Sequence, residues 1–383
     1  MSGGGWFSLL HGGPIEASTS SYELLGELGR GGMADVLLAH RRLQREESPA
    51  AAKHVALKRL KPELAADPVL RQMLVEEARL GAGLVHPNLV EAFDLGEHDG
   101  NYFFTMEFVR GRELRHLVRA AGKSRRSLPL PHVLTIIASI AAGLDYAHHL
   151  RTPAGRPLNV VHLDVCPSNV MVGPEGFVKL IDFGIARHDL TPQPVHAGPV
   201  VSAPADVALR RGTMAYMSPE QCRGDTTLDR RSDVFSLGIL LWELTVWRRL
   251  YRADSRAEVF AKIVDRDAPP PSSIRSDYAP GLEAIVMKAL ARDPAQRFET
   301  AGKLLLAVEE FAHGYGIATS TTRLGKYVSS LLPPAQTGHT APSPIPVRSG
   351  STLPGTPGDS RVTQPYPLVP LAPAGVATGA VGP

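Results

Sequence analysis

From about Tyr22 to Ala312 the chain alternates apolar periodic segments with short turns, and the period changes along the way. Near the N-terminal end the period is two. LLGELGRGGMADVLLAH reads as two strands joined by a Gly-rich turn, HVALKRL as a third strand and YFFTMEFV as another. Between them lies one helical pattern, VLRQMLVEEARLGAGL, with Asp67 as its N-cap and Pro68 at the first helical position. From Leu130 onward long helical patterns dominate: PHVLTIIASIAAGLDYAHHL, then LEAIVMKALA and KLLLAVEEFA. A small β-rich part followed by a larger helical part predicts an α+β, two-lobed architecture.

These patterns divide the chain into a flexible N-terminal segment (1–21), a folded domain (22–312, with a small lobe to about 108 and a large lobe from about 109) and a tail (313–383). The tail is rich in Pro, Gly, Ser and Thr and cannot bury enough apolar surface to offset its ordering entropy. A short amphipathic stretch from about Thr322 to Leu332 is the one part of it with a face to pack on the body. No window reads as the ~20 apolar residues of a spanning helix, so no membrane span is expected.

Composition narrows the partners. A formal net charge of +3 over 383 residues gives no reason to expect nucleic acid or an anionic membrane. Two cysteines, Cys166 and Cys222, are too few for a disulfide framework and agree with a reducing, cytoplasmic setting.

Several residues then suggest one chemistry. Glycines at 29, 31 and 32 between two strands let backbone N–H groups approach a phosphate closely. Alternation in HVALKRL puts Ala56 and Lys58 on one face. On the following helix Leu70, Leu74, Gly81 and Leu84 form a stripe that includes Glu77, while Glu76 points away. A carboxylate on a core-facing stripe needs a cation, and Lys58 is the natural one. Downstream come His162-Leu163-Asp164, then Asn169, then Asp182-Phe183-Gly184 after an apolar strand. Phosphoryl transfer needs a carboxylate to orient the attacking hydroxyl and oxygen ligands for a metal that bridges phosphates. Asp164 suits the first role, Asn169 and Asp182 the second.

In this order the motifs resemble the eukaryotic-like Ser/Thr protein kinases of bacteria. The resemblance covers about residues 22–312 and implies a kinase-like bilobal fold and transfer of the ATP γ-phosphate to protein hydroxyls in signalling. By this likeness Gly29, Gly31 and Val36 belong to the Gly-rich loop, with Ala34 where a third Gly often stands, and Ala56 and Lys58 to the nucleotide-facing strand. Glu77 precedes His86-Pro87-Asn88 as in the family. Met106, Glu107, Phe108 and Val109 resemble the hinge that binds adenine, and Glu113 a ribose contact. GTMAYMSPE resembles the substrate-docking segment, Asp233 the brace of the catalytic loop, and Arg297 the partner of Glu220. The implied cofactors are ATP and Mg²⁺, with Mn²⁺ as a substitute. The insertion RTPAGRPLN and Cys166 look most like kinases of myxobacteria.

Two positions depart from the family. Residue 163, usually an Arg that contacts a phosphorylated activation loop, is Leu163, so activity is expected not to depend on phosphate captured there. Residue 166, usually a Lys, is Cys166. A thiol of ordinary pKa ~8.5 is mostly neutral at pH 7, and loss of one preorganised donor costs on the order of 10²–10³ in kcat. The bland reading of Cys166 is a small, partly buried filler. The segment Arg187 to Arg211 is long for an activation loop, with Thr191 and Ser202 as candidate phosphosites. These departures keep a second reading open, a nucleotide-binding pseudokinase scaffold with partners docking on the Pro-rich tail. A small-molecule phosphotransferase sharing H-x-D-x-x-x-x-N is a third, opposed by GTMAYMSPE.

Overall fold

The computed structural model describes residues 22–41, 54–98, 101–152, 154–183 and 214–331. The expectations about the N-terminal segment, Gly184, Thr191, Ser202, the rest of 187–211, Gly212, Thr213 and the chain beyond Leu331 lie outside the described residues.

The small lobe is an antiparallel sheet of β1 (Tyr22–Arg30), β2 (Ala34–Arg41), β3 (His54–Leu60), β4 (Ala92–His98) and β5 (Asn101–Glu107), in the order β1-β2-β3-β5-β4. Alternation sorts β3 between two clusters. Val55 and Leu57 pack with Tyr22, Leu37, Ala39 and Phe103 on one side. Leu60 packs on the other with Leu70, Leu74, Ala78, Leu95 and Phe104, under helix α1 (Pro68–Gly83). Lys58, two residues before Leu60, therefore faces the helix. The start of α1 is fixed by Asp67, whose carboxylate accepts from the Val69 and Leu70 N–H groups at 2.8 and 3.2 Å. Gly81 brings α1 against β4: a Cβ there would stand 2.9 Å from that of Ala92.

The large lobe contains β6 (Arg112–Glu113), α2 (Leu114–Lys123), α3 (Leu130–His148), β7 (Val170–Val172), β8 (Val178–Leu180), α4 (Pro219–Arg223), α5 (Arg231–Val246), α6 (Arg256–Asp265), α7 (Pro280–Ala289) and α8 (Ala301–Gly314). Strands β6, β7 and β8 form a second small sheet. Every residue of α5 from Ser232 to Val246 is buried, so neighbours enclose this helix on all sides, and its polar residues, Asp233 among them, lie inside the lobe. Helix α3 is long and apolar enough, by length and composition, to cross a membrane, which the sequence reading did not anticipate. Eleven of its residues, among them Leu134, Ile136, Ile137, Ile140 and Leu144, are buried within the lobe.

Helix α8 crosses the expected domain end at 312, and one more helix, α9 (Thr321–Leu331), follows. Its Leu324 and Val328 are buried, and Gly325 lies against the β7–β8 turn. Gly176 in that turn has φ 88°, and a Cβ there would collide with the Thr321 carbonyl. The amphipathic stretch read from the sequence is thus a packed helix within what was assigned as tail.

Arg297 and Glu220 close the lobe's base. The guanidinium makes a bidentate pair with the Glu220 carboxylate at 2.7 and 2.8 Å and gives its other N–H groups to the carbonyls of Arg231, Arg292 and Ala291. All donors of the guanidinium are therefore used, which is what makes a buried charge tolerable. Burial opposes ionisation of Glu220, but the bonds from Arg297 outweigh it and hold the carboxyl below its ordinary range. Replacing Arg297 by Met leaves that carboxylate stranded and is expected to cost about 3–5 kcal/mol in denaturant unfolding. Because the folded-state pKa is depressed, the pair's contribution is whole above the ordinary carboxylate range and fades as pH falls through the lower folded value. The gap in stability between the parent and an Arg297→Met, Glu220→Gln double variant should narrow in acid, measured by unfolding at a series of pH values.

Candidate active site

Strand β3 and helix α1 bring Lys58 and Glu77 together as their faces require. Lys58 Nζ donates to Glu77 Oε1 and Oε2 at 2.6 and 2.8 Å, and both residues are buried. The same ammonium donates to Asp182 Oδ1 at 2.9 Å. One cation thus serves two carboxylates. Burial disfavours the charged lysine, yet Asp182 and Glu77 outweigh it and hold the ammonium above its ordinary pKa. Lys58 pulls the Asp182 carboxyl well below the carboxylate range, and the 45% exposure of the Asp182 side chain lets water share that stabilisation. Glu77, fully inside, is pushed up to about 7 by burial, against the pull of Lys58 and with Asp182 adding to the rise.

The loop from His162 to Asn169 hangs from a single carboxylate. Asp233, with no exposure, accepts from the Leu163 N–H at 2.8 Å through Oδ1 and from the His162 N–H at 2.8 Å through Oδ2. His148 Nε2 lies 2.8 Å from the same Oδ2. Leu163 is held at φ 66°, a left-handed conformation that costs a branched residue roughly 1–3 kcal/mol. The His162 ring receives the Asp164 N–H at Nδ1 (3.2 Å), and its Nε2 stands 3.3 Å from the Ile181 carbonyl. Those two contacts fit one neutral tautomer, protonated at Nε2. Burial lowers the His162 pKa and keeps it neutral, against the nearby Asp233 and Asp182.

Asp164 and Asn169 are joined directly. Asn169 Nδ2 donates to the Asp164 carbonyl at 2.9 Å and to Asp164 Oδ2 at 2.8 Å. This commits the Asn169 side-chain nitrogen to Asp164 and points the side-chain oxygen away from it. The Ile181 N–H donates to the Asn169 carbonyl at 2.8 Å, which ties the two ends of the β7–β8 hairpin together next to Asp182.

The expected nucleotide-side residues fall on one face. Val36 pairs with Lys58 across β2 and β3, and Ala56 pairs with Met106 across β3 and β5. Gly29 pairs with Val36, and the turn closes with the Gly31 N–H on the Ala34 carbonyl at 2.8 Å. A Cβ on Gly29 would meet nothing within 4 Å, so the backbone there is open to a ligand. Val109 gives its carbonyl to the Gly111 N–H at 2.8 Å. The Glu107 side chain leaves this face altogether: it pairs with Lys179 at 2.8 Å in a cleft of about 660 Å³ behind the hinge. Any adenine contact by Glu107 is consequently a backbone one. Glu113 is paired with Arg115 and sits opposite Met171 of β7.

Both departures from the family are packing positions. Leu163 is 6% exposed and Cys166 2%, the latter within the main core cluster, so Cys166 is buried more deeply than the partly buried filler read from the sequence. Sequence reasoning missed Gln221, whose Nε2 donates to the Leu163 carbonyl at 2.9 Å. The sequence offers Ser218 and Gln221 as a capping box, which gives the helix start but not the bond to the Leu163 carbonyl. It missed the Lys179 bridge as well, because Lys179 lies on a strand where a solvated lysine reads the same.

The comparisons with known proteins agree with this geometry. The protein kinase domain family matches residues 22–307. The chain is 35% identical over 315 residues to the tyrosine-protein kinase MasK of Myxococcus xanthus, covering 82% of this chain and 46% of that protein. It is 33% identical over 345 residues to the serine/threonine-protein kinase PknD of Mycobacterium tuberculosis (89% and 47%), and 36% identical over 288 residues to PknB of Mycolicibacterium smegmatis (74% and 41%). The chain therefore spans under half the length of these relatives. Among solved structures it is similar to the PknI kinase domain of Mycobacterium tuberculosis, with a TM-score of 0.55, 27% identity and coverage of 78% of this chain and 99% of that one.

Replacing Asp233 by Asn leaves one acceptor oxygen where there were two and sets an amide NH₂ against either the Leu163 N–H or the His162 N–H. An orphaned N–H costs about 1–3 kcal/mol, and either orientation loosens the hold on the loop at 162–163. The variant should unfold at lower denaturant, and hydrogen exchange at 162–164 should quicken more than the global loss of stability explains.

Proposed function

The chain belongs to the protein kinase domain family, and from that premise we propose that it transfers the γ-phosphate of ATP to serine or threonine hydroxyls of proteins. The observation that carries the reading is the set Lys58–Glu77, Asp182 and Asp164–Asn169, five residues all present and hydrogen-bonded to one another in two groups, although the family's lysine at 166 is replaced by Cys166. Asp164 orients the attacking hydroxyl and accepts its proton, with Oδ2 fixed by Asn169. Lys58 binds phosphate oxygens, and Glu77 keeps it aimed when Asp182 turns to other work.

The donors fit a hard divalent cation. Asp182 offers a carboxylate with an exposed side chain, and Asn169 an amide oxygen whose nitrogen is already committed. We take the ion to be Mg²⁺, with Mn²⁺ as a substitute, held by these two residues. When bound, it neutralises phosphate charge. Cys166 supplies no cation and lies in the core, so Lys58 and the metal side carry the burden that a lysine at 166 would share.

The choice of hydroxyl rests on GTMAYMSPE and on the names of PknD and PknB. A tyrosine acceptor is the second reading, favoured by the name of the Myxococcus relative. The proposal also takes the chain to be cytoplasmic, supported by its having only two cysteines, and gives the Pro-rich segment after Leu331 a role in docking partner proteins.

Purified protein with Mg·ATP and a basic protein substrate should incorporate phosphate, found on Ser or Thr in the hydrolysate. Asp164→Asn should lower the rate by about 10²–10⁴ while nucleotide binding survives. Nucleotide binding with no transfer by the parent protein would replace this reading with the scaffold, and phosphotyrosine alone would replace its acceptor.

A further inference from the structure

Resting on that reading, we infer that Gln221 is a positioning residue for phosphoryl transfer: it fixes the peptide unit that carries Asp164. The unit between Leu163 and Asp164 has two polar ends. Its N–H, from Asp164, goes to His162 Nδ1 at 3.2 Å. Its carbonyl, from Leu163, goes to Gln221 Nε2 at 2.9 Å. With the Leu163 N–H on Asp233 and the residue at φ 66°, every polar group around this left-handed residue is bonded. Losing the glutamine bond frees the plane to turn, and the next Cα to move is that of Asp164.

Gln221 is itself fixed at the other end. Its Oε1 accepts the Ser218 N–H at 2.9 Å, and its own N–H donates to Ser218 Oγ at 3.3 Å, so a capping box locks it at the start of α4. The residue before it, Glu220, is held by Arg297 and by Ser232 Oγ at 2.8 Å. Gln221 is 4% exposed, so little water reaches it to compete for its bonds. It links the docking segment to the residue that receives the hydroxyl's proton.

The bond is also uncharged. The neighbouring position 163, where the family carries an arginine, is a buried leucine, and the connection made through Gln221 needs neither a phosphate nor a protonation event. The device holds Asp164 in place constitutively. This gives a physical basis for activity that does not wait for phosphate at residue 163.

The test uses the full chain and Gln221→Met, which keeps length and volume but removes both polar functions. Under saturating Mg·ATP, kcat for peptide phosphorylation should fall at least about tenfold, the scale of a small misplacement at a reacting group, while nucleotide affinity by calorimetry stays within about twofold. Adding Leu163→Gly should recover much of the loss, because glycine adopts positive φ without a Cβ penalty and depends less on the clamp. Amide exchange at 162–165, measured with nucleotide bound, should quicken in Gln221→Met and supplies a readout that needs no turnover. An unchanged kcat with unchanged exchange at those amides overturns the inference. So does a loss of kcat that Leu163→Gly fails to relieve, which would make Gln221 a helix cap and nothing more. A parent protein that transfers no phosphate overturns the proposed function instead, and the exchange measurement still decides on Gln221.

Discussion

Asp233 is a carboxylate without solvent, and its oxygens are occupied by two successive backbone N–H groups and an imidazole. Buried on α5, its polar oxygens need such donors, and the backbone N–H groups of His162 and Leu163 need such an acceptor. Each solves the other's problem. The left-handed Leu163 follows from it, and so does the orientation of His162, whose one tautomer then holds the Asp164 N–H and reaches the Ile181 carbonyl. From Ile181 the connection runs through the Asn169 carbonyl to the hairpin ends. The most enclosed helix of the large lobe, rather than the loop's own sequence, fixes the geometry of the site.

Strain and charge meet again at Asp182. It has φ 67°, and its carboxylate leans on Lys58, which already carries Glu77. Two carboxylates on one ammonium cannot both be well served. The more exposed one is depressed and the enclosed one is raised, so the arrangement leaves Asp182 as the easier of the two to draw away. A cation arriving at this site would compete with Lys58 for Asp182, and a phosphate would compete with Asp182 for Lys58, while Glu77 keeps the lysine. That asymmetry has two sources: burial raises Glu77, and the Lys58 charge lowers Asp182.

Much of this was legible in the sequence, for physical reasons that differ by residue. Lys58 and Glu77 could be paired because strand and helix periods each put them on the apolar side, where an unmatched charge is costly. Asp67, Asp164 and Asn169 could be placed because cap chemistry and loop spacing are local. Gln221 could not, since its partner is a backbone carbonyl 58 residues away and no periodicity registers a carbonyl. The side-chain direction of Glu107 was equally hidden: the hinge pattern gives the residue its place, but Lys179, which turns it to the rear, lies on a strand whose register becomes fixed only in the fold. Helix α9 was visible as an amphipathic stretch, but composition assigned it to the tail. What composition cannot weigh is a Gly176–Gly325 approach close enough to seat a helix.

The stretch HLDVCPSN departs from the family at two positions, and burial shows what fills them. Here both altered positions are filled by side chains that the core accepts: Cys166 within the central cluster, and Leu163 almost without exposure. A lysine at 166 with the thiol's burial would need a partner carboxylate or would have to reach out of the core, and an arginine at 163 would need its phosphate. Leucine and cysteine need neither. The loop has exchanged charge for packing at two auxiliary positions. Asp164, Asn169, Asp182, Lys58 and Glu77 remain hydrogen-bonded to one another or to the loop's own backbone, so the exchange leaves this set intact.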